Sequence, residues 1–434
     1  MNVDVLVVGA GPDGLSAARE LRRLGTGSVL VADREAEPGG IPRHSRHTGY
    51  GLRDLHRVMT GPAYARWLAG AVVSAGAELR LGTTVTGLST SAAGTVATLT
   101  SIRGIETVRA AAVLLATGCR ERPRTARLVP GDRPAGVMTT GELQQRVYLG
   151  GERLPGRAVV AGAEHVSFSA LMTLSHAGAH VVALVTEYER QQSYAGFRLG
   201  AALWWRVPVW TSTAIQRVAG RERLSGVEVF PVPGGAARFV PCDTLVFTGD
   251  WIPEYELARM AGLAMDPGTR GPAVDTALET SAAGVFAAGN LVHAAETADI
   301  AALSGRHAAR SIFALLGARR ATGRVVGRAG EPVAGPVTER AAAVWAGRVP
   351  VRVGPPLRWI SPNAIAVAAG PPPLGRFVLR SQEFRRLARL EVRQDGRLLA
   401  RSRPVRLIPG RPVHLAAAWL ARVDPAGGPV RVTA

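Results

Sequence analysis

The chain has 434 residues, 47% of them hydrophobic, and a formal net charge of +19 at pH 7. This length predicts two or three domains, and the hydrophobic content excludes an intrinsically disordered protein. All 52 basic residues are arginine, which excludes pyridoxal-phosphate enzymes and P-loop NTPases because each needs a lysine.

The first recognisable pattern is Val3–Asp33, where a strand, a glycine turn, a helix and a second strand follow one another. Gly9 makes the turn, Gly11 leaves room for a pyrophosphate against the backbone, and Gly14 lets the helix pack closely on the strand. Asp33 ends the second strand, where its carboxylate can accept hydrogen bonds from ribose hydroxyls. The pattern predicts a dinucleotide-binding βαβ unit and leaves open whether the nucleotide is FAD or NAD.

The cysteines and the apolar segments indicate whether the chain has disulfides, a metal site, a signal region or a membrane span. Cys119 and Cys242, the two cysteines, are far apart and lack metal-ligand spacing, so we expect no metal site and no disulfide framework. The N-terminus enters a buried strand without a basic signal region, and no run of about 18 uncharged apolar residues occurs. We therefore expect a cytoplasmic protein with no transmembrane segment.

The segment after the first unit changes from a helical to a strand-like pattern. Apolar residues at helical spacing predict a helix over Asp54–Ala75, and Ala77–Ala116 alternates short β-rich stretches with turns. The last stretch is strongly apolar and ends in Ala116-Thr117-Gly118. At this point such a strand is expected to close over a bound dinucleotide.

Five motifs in this order resemble the two-dinucleotide-binding-domain flavoproteins, the glutathione-reductase-like pyridine nucleotide-disulfide oxidoreductases. They are the Gly9–Gly14 turn, Asp33, Gly39-Gly40, Ala116-Thr117-Gly118 and Thr280–Asn290. The segment Arg120–Gln145 is similar to the linker in FAD-containing subunits related to hydrogen cyanide synthase, opine oxidase and dye-linked proline dehydrogenase. The resemblance covers residues 1–320 or so and implies an α/β fold with two Rossmann-like domains.

The resemblance implies that FAD binds to the first of these domains. Asp33 would lie at the adenosine ribose, Gly289-Asn290 near the ribityl chain, and Thr297-Ala298 at the start of a helix that points at the flavin pyrimidine. Asn290 stands where the family usually has aspartate, and its amide oxygen can still accept a hydroxyl hydrogen bond. The implied FAD-binding residues are Gly9, Gly11, Pro12, Gly14, Asp33, Arg34, Gly40, Val85, Ala116, Thr117, Gly118, Gly289, Asn290, Thr297 and Ala298.

The loop Glu37–Gly49 departs from the disulfide reductases of this group. Where those enzymes carry a redox cysteine pair against the flavin ring, this chain has Arg43, His44, Arg46 and His47, which excludes thiol–disulfide chemistry. These side chains could clamp a substrate carboxylate or move a proton near neutral pH, or they could simply pack in a cofactor loop. Arg43, His44 and His47 are the candidate catalytic residues.

A second βαβ pattern spans Arg157–Glu187, in the domain that binds NAD(P)H in the family. Aligned on the first unit, its turn has Glu164 at the second glycine and Ser167 at the third, and Thr186 stands at the ribose position. Glu164 should obstruct and repel a pyrophosphate. The sequence therefore predicts a retained fold that no longer holds NAD(P)H tightly.

The predicted organisation treats this second unit as an insertion. Residues 1–120 and 243–320 form the FAD-binding domain, 121–242 the inserted domain, and 325–434 a small β-sandwich-like domain after a Gly/Pro/Ala linker. Gln394-Asp395-Gly396 is expected to be a hairpin turn. Residues 325–434 hold 18 arginines and six acids. These charges could simply form a solvated surface, or the domain could bind an anionic lipid, an acidic protein or a second copy of the chain. We do not expect a nucleic-acid partner.

The predicted function is that of an FAD-dependent oxidoreductase. It would take hydride from a small amine, amino acid or hydroxy compound and pass electrons to an acceptor other than a nicotinamide nucleotide. Two alternatives stay open, an NAD(P)H-dependent flavin reductase and a flavoprotein electron-transfer subunit of a larger complex. No residues after His47 show a recognisable acid–base or nucleophile spacing, so the sequence does not specify the substrate.

Overall fold

The computed structural model describes residues 1–91, 94–322 and 347–434. Two compact units are formed, the first from residues 1–43, 48–119 and 253–434 and the second from residues 44–47 and 120–252. The predicted Gly/Pro/Ala linker lies outside the described residues, as does the predicted start of the C-terminal domain at residue 325.

The first unit opens with a sheet whose central strand is the apolar run at the N-terminus. Val5, Leu6 and Val7 are fully buried because this strand has a parallel neighbour on each side and its side chains belong to the main hydrophobic core. The elements up to residue 115 are β1 (Asn2–Val8), α1 (Pro12–Arg23), β2 (Val29–Ala32), β3 (Thr48–Tyr50), β4 (Met59–Thr60), α2 (Gly61–Ser74), β5 (Glu78–Arg80), β6 (Thr83–Ser91), β7 (Gly94–Ser101) and β8 (Gly104–Leu115). The strand order is β5-β2-β1-β8-β7-β6, with β1 parallel to β2 and β8 and with β6, β7 and β8 antiparallel.

The helix predicted over Asp54–Ala75 is shorter than expected, because α2 begins only at Gly61. Pro62 occupies its first turn, where a missing N–H is tolerated. His56 has a φ of 55°, a left-handed conformation that no right-handed helix can include. The preceding residues instead pair as the short ladder of β3 with β4.

The second unit contains a five-stranded parallel sheet. Its elements are β9 (Cys119–Glu121), β10 (Val137–Thr139), α3 (Thr140–Gln144), β11 (Gly156–Ala161), α4 (His165–His176), β12 (Ala179–Val185), α5 (Ala195–Trp204), β13 (Val209–Trp210), β14 (Thr213–Ala219), β15 (Gly226–Pro231), β16 (Arg238–Pro241), β17 (Thr244–Phe247) and β18 (Trp251–Pro253). The sheet order is β10-β17-β11-β12-β13, and β14, β15 and β16 form an antiparallel sheet. The succession β11, α4, β12 confirms the second βαβ pattern.

One strand lies elsewhere than the sequence suggested. We expected residues from Asp243 onward to return to the first unit, but β17 pairs in parallel with β10 and β11 inside the second unit. All four of its residues are buried, so a central position in a parallel sheet suits it. The chain re-enters the first unit only at Pro253.

The remainder of the first unit brings a long helix against the first one. It begins with α6 (Glu256–Met260), β19 (Val285–Ala287) and α7 (Ala298–Ala321). β19 joins the first sheet beside β8, with Val285 opposite Val113. Gly305 lets α7 approach α1 closely, because a Cβ there would lie 2.0 Å from the Asp13 carbonyl oxygen.

The C-terminal β-rich region predicted from the sequence is present. Its strands are β20 (Arg348–Val353), β21 (Leu357–Ser361), β22 (Ala364–Ala366), β23 (Arg376–Ser381), β24 (Arg385–Ala388), β25 (Glu391–Gln394), β26 (Arg397–Arg401), β27 (Val405–Leu407), β28 (Val413–Ala416) and β29 (Val430–Thr433). They form sheets ordered β22-β20-β29-β25-β26, β21-β23-β28 and β24-β27 around a core that includes Phe377 and Leu390. The predicted hairpin turn is confirmed, since Asp395 and Gly396 have φ of 48° and 80° between β25 and β26.

Candidate functional site

In the first glycine turn, the fold itself requires glycine at two positions, Gly9 and Gly14, but not at Gly11. Gly9 has a φ of 113°, and a Cβ there would lie 2.2 Å from the Ala116 carbonyl oxygen. A Cβ on Gly14 would lie 1.9 Å from the Gly9 carbonyl oxygen. Gly11, by contrast, has an ordinary extended backbone. Beyond its chain neighbours, the one atom of the described residues within 4 Å of its Cβ position is an Asp13 carboxylate oxygen at 3.2 Å. The space at Gly11 is therefore left for a ligand, which fits a pyrophosphate at this turn.

Asp33 is fixed at the end of β2 by the backbone around it. Its two carboxylate oxygens accept hydrogen bonds from the N–H groups of Ala10 and Glu35. A carboxylate has about four acceptor positions, so it can still accept bonds from a ribose. The neighbouring Arg34 is exposed, and its guanidinium lies 3.8 Å from the Glu254 carboxylate.

Other predicted FAD-binding residues surround the same turn. Gly40, with a φ of 60°, packs against the backbone of Gly11. The Ala116 N–H donates to the Val8 carbonyl, and the Thr117 hydroxyl donates to the Glu254 carbonyl at 2.8 Å. Three other predicted FAD-binding residues lie in different settings. Pro12 begins α1, Val85 packs against the core, and Gly118 has a left-handed backbone with a φ of 74°.

The turn after β19 reaches the N-terminus of α7. The Gly289 N–H donates to the Ser304 hydroxyl at 3.2 Å. The Asn290 amide closes the following loop, since its oxygen accepts the Glu296 N–H at 2.7 Å and its nitrogen donates to the Glu296 carbonyl. Thr297 is the residue before the first turn of α7, which Ala298 begins, and its hydroxyl bonds the Asp299 carboxylate. This geometry presents the positive end of a 24-residue helix beside Gly289.

Asp13 is a site residue that the sequence did not single out. Its carboxyl group lies between the two turns, with one oxygen beside Gly11 and the other 2.2 Å from the Cβ position of Gly289. The second oxygen is buried and has no hydrogen-bond partner among the described residues. Burial raises the pKa of Asp13 to about 7, assisted by the nearby charge of Asp33. An acid in the first turn of a helix is so common that it carried no signal.

The three candidate catalytic residues do not share one environment. Arg43 belongs to the first unit, where its guanidinium donates to the Glu37 carbonyl and lies 3.2 Å from the Glu35 carboxylate. His44 and His47 belong to the second unit, where His44 is 2% exposed and His47 is half-buried. Between them, the exposed Arg46 stacks over the ring of Tyr148. Their catalytic role stays a prediction.

Alanine in place of His44 or His47 is expected to slow substrate-dependent flavin reduction and to leave FAD bound, because both lie outside the glycine turn. Anaerobic stopped-flow absorbance measures the rate, and a thermal melt reports any cavity left by the buried His44. The exposed His180 provides a matched control, since His180→Ala should change neither quantity. Equal rates in all three variants would make the two histidines structural.

The second glycine turn is filled by its own side chain. Glu164 precedes the first turn of α4, and its carboxylate accepts hydrogen bonds from the Thr248 hydroxyl and, at 3.1 Å, from the Ala163 N–H. The Ser167 hydroxyl accepts the Glu164 N–H at 3.2 Å. A carboxylate oxygen of Glu164 lies 2.9 Å from the Cβ position of Gly162. The helix N-terminus that would bind a pyrophosphate therefore already holds an anion.

A second carboxyl group lies near the same turn. Glu121 is buried and accepts the N–H groups of Gly141 and Gly249 at 2.8 and 3.3 Å. Burial raises its pKa to about 7, and the charge of Glu164 adds to the effect. The two carboxyl groups of Glu121 and Glu164 thus disfavour an added pyrophosphate dianion. The half-buried guanidinium of Arg127 donates to the carbonyl oxygens of Thr248 and Gly249 and brings a positive charge near both acids.

Within the described residues, no helix is long and apolar enough to cross a membrane. No group of three or more His, Cys, Asp or Glu side chains in that part of the chain is arranged to hold a metal ion.

Two Rossmann-like units, the open space at Gly11 and the order of the predicted motifs are those of a two-domain flavoprotein fold. The chain matches the family of pyridine nucleotide-disulphide oxidoreductases over residues 3–305. It belongs to this family and is an FAD-dependent oxidoreductase. A thioredoxin reductase of T. acidophilum has the same fold, with a TM-score of 0.62 and 20% identity over 73% of this chain and 99% of that one.

Three relatives place the chain among several kinds of oxidoreductase. It is 31% identical to the alpha subunit of the sarcosine oxidase of a Corynebacterium species over 47% of this chain and 21% of that protein. It is 27% identical to an opine oxidase subunit from Agrobacterium tumefaciens over 72% of this chain and 65% of that one. It is 31% identical to a ferredoxin–NADP reductase of Salinispora tropica over 67% of this chain and 86% of that protein. The chain thus spans less than two thirds of the sarcosine and opine oxidase polypeptides.

Proposed function

We propose that this protein is an FAD-dependent dehydrogenase or oxidase of a small amine, amino acid or hydroxy compound. Its electrons would leave to a quinone, a dye, oxygen or a protein, and not to a nicotinamide nucleotide. The two cysteines, Cys119 and Cys242, form no disulfide, and the first is partly exposed whereas the second is buried. A dithiol mechanism therefore has no support in this chain.

The observation that carries the proposal is the position of Glu164. The hydrogen bonds from Thr248 and Ala163 hold its carboxylate on the turn. A unit charge repulsion across about 4 Å at an effective dielectric of about 20 is worth about 4 kcal/mol. That repulsion exceeds the helix-dipole attraction of about 0.3–1 kcal/mol and corresponds to almost a thousandfold in affinity. NAD(P)H would accordingly bind weakly or not at all.

The chain's own residues supply the binding side of the reaction. FAD, when bound, would supply the hydride acceptor. Gly11 would give its pyrophosphate access to the backbone at the start of α1, and Asp33 would accept hydrogen bonds from its ribose hydroxyls. The N-terminus of α7 at Thr297 favours negative charge close to it. Arg53 supports this end of the helix, since its guanidinium lies 3.2 Å from the Asp299 carboxylate.

Two alternatives have a specific observation behind them. The ferredoxin–NADP reductase relative favours a reductase that takes hydride from NADPH. The two oxidase relatives are named as subunits, which favours a flavoprotein that works only with a partner. Size-exclusion chromatography and a dye-reduction assay on the purified chain distinguish the second alternative, because an isolated subunit would give no dye reduction with any substrate.

Anaerobic mixing of the yellow protein with NADH, NADPH and a panel of amines, amino acids and hydroxy acids tests the proposal. We expect no fast flavin bleaching with either nucleotide at micromolar concentration, and bleaching with at least one member of the panel. Rapid bleaching by NADH or NADPH would overturn the choice of acceptor.

Two variants separate the charge of Glu164 from its bulk. Glu164→Gln keeps the shape and the hydrogen-bonding oxygen, so it relieves only repulsion, whereas Glu164→Gly also opens the turn. NADH affinity, measured by fluorescence titration, should rise in the order wild type, Gln, Gly. Equal affinities in the three proteins would mean that Glu164 does not control the turn.

A further inference from the structure

A cleft in the first unit lies between the loop that follows β19 and the C-terminal strands. The empty space in and in front of the cleft, counted together with open solvent at its mouth, is about 540 Å³. Its wall is mainly aliphatic, with Val292 and Ile300 on one side and Leu374 and Val378 on the other. Gly289, one of the predicted FAD-binding residues, also lines it. The cleft therefore adjoins the predicted cofactor site.

The register of two strands places a cation and an imidazole together in this cleft. β23 and β28 are antiparallel, with Val378 opposite His414. Arg376 is two residues before Val378, so it lies on the same face as a diagonal neighbour of His414. Both side chains line the cleft.

Within the part of the chain that the structure describes, no carboxylate lies within ion-pair distance of the Arg376 guanidinium, although the charge of Glu296 acts on it. Its Nε is buried and makes no hydrogen bond within the described residues. Glu296, the nearby acid in the cleft wall, is held by Arg380, whose guanidinium donates to it at 2.9 Å and to the Ala295 carbonyl at 3.0 Å. Arg380 is 4% exposed, so that pair is fixed in the interior. The fork of donors on Arg376 is thus available for a planar anion such as a carboxylate.

Burial disfavours the charged form of two histidines in the cleft. Burial lowers the pKa of His293 to about 3, and burial together with Arg376 lowers the pKa of His414. The His293 ring is tilted by 37° against the Trp359 ring, with the centroids 5.4 Å apart, and its buried Nδ1 has no partner among the described residues. A neutral imidazole nitrogen can accept a hydrogen bond from an amino or hydroxyl group.

We propose that this cleft binds a small α-amino or α-hydroxy acid, with the carboxylate on Arg376 and the amino or hydroxyl group directed to His293 or His414. This inference rests on the proposed function and narrows its substrate class to carboxylates. Simple amines and alcohols have no carboxylate to accept hydrogen bonds from Arg376. The aliphatic walls favour a substrate with a small apolar side chain.

Isothermal titration of the full-length protein with three matched pairs tests the proposal. The pairs are L-alanine with ethylamine, L-proline with pyrrolidine, and L-lactate with ethanol. At least one acid should bind and its partner should bind at least tenfold more weakly. Arg376→Met should reduce the affinity for the acid at least tenfold. The affinity of Arg376→Lys should lie between those of wild type and Arg376→Met, because lysine keeps the charge but loses the paired donors of the guanidinium. Arg397→Met, at an exposed arginine of β26, should bind like wild type.

The outcomes distinguish this proposal from the proposed function. An acid that binds through Arg376 without bleaching the flavin supports the cleft and counts against the oxidoreductase substrate. Bleaching by an amine or alcohol, with no dependence on Arg376, supports the oxidase and overturns the cleft. Equal binding of acids to wild type and to a folded Arg376→Met, judged by thermal melting, also overturns it.

Discussion

A Gly11→Val protein is expected to fold normally and to be colourless. Gly11 has an extended backbone that valine adopts readily. Of the described atoms beyond its chain neighbours, a carboxylate oxygen of Asp13 at 3.2 Å is the one within 4 Å of its Cβ position. The branched side chain would project into the space left for a pyrophosphate. The visible flavin absorbance after gel filtration measures the loss, and circular dichroism measures the fold.

Two further glycines make this result specific. Gly14→Val should fail to fold, because its Cβ would lie 1.9 Å from the Gly9 carbonyl oxygen. Gly70→Val, on the exposed face of α2 with no atom within 4 Å, should fold and stay yellow. If Gly11→Val retained stoichiometric FAD, the turn would not be the cofactor site.

The affinity for FAD is expected to fall as the pH rises above neutral, and Asp13→Asn should remove this dependence. Burial raises the pKa of Asp13 to about 7, so its carboxyl group is neutral below that pH and charged above it. A neutral carboxyl between Gly11 and Gly289 can donate a hydrogen bond to an anionic ligand, whereas a carboxylate repels a pyrophosphate. The dissociation constant should therefore increase up to about tenfold per pH unit above pH 7, the slope of one linked proton.

Titration of the apoprotein with FAD, followed by flavin fluorescence between pH 6 and pH 9, measures this slope. Asparagine keeps the shape of Asp13 and cannot ionise, so its dissociation constant should be flat over the range. Glu222→Gln, at an exposed acid of the second unit, should keep the wild-type slope. A flat wild-type curve, or an unchanged slope in Asp13→Asn, would contradict the role given to Asp13.

The parts of the fold that local chemistry determines were predictable from sequence. The first βαβ unit follows from an apolar strand and three spaced glycines, and the Asp395-Gly396 turn follows from residues that tolerate positive φ. The strand β17 was misplaced, because a short apolar run fits a parallel strand in either unit equally well.

The cleft could not be predicted because its parts are joined only by tertiary packing. His293, Arg376 and His414 come from three distant segments. In a chain with 52 arginines, Arg376 has the same local pattern as a solvated surface residue. Only its buried Nε without a partner distinguishes it. Asn290 was identified from the sequence, but the hydrogen bonds of its amide were not predicted. In the structure the amide closes the loop by bonding to the backbone of Glu296.

The carboxylate of Glu164 acts on its own helix as a permanently tethered ligand. A domain that binds a free nucleotide gains stability with nucleotide concentration by mass action. When the anion is a side chain of the same domain, as Glu164 is, its stabilising effect is always present, because its effective concentration at the helix does not change. On the proposed function, the stability of the second unit is therefore independent of the NAD(P)H level around it, and its melting temperature should not move when either nucleotide is added.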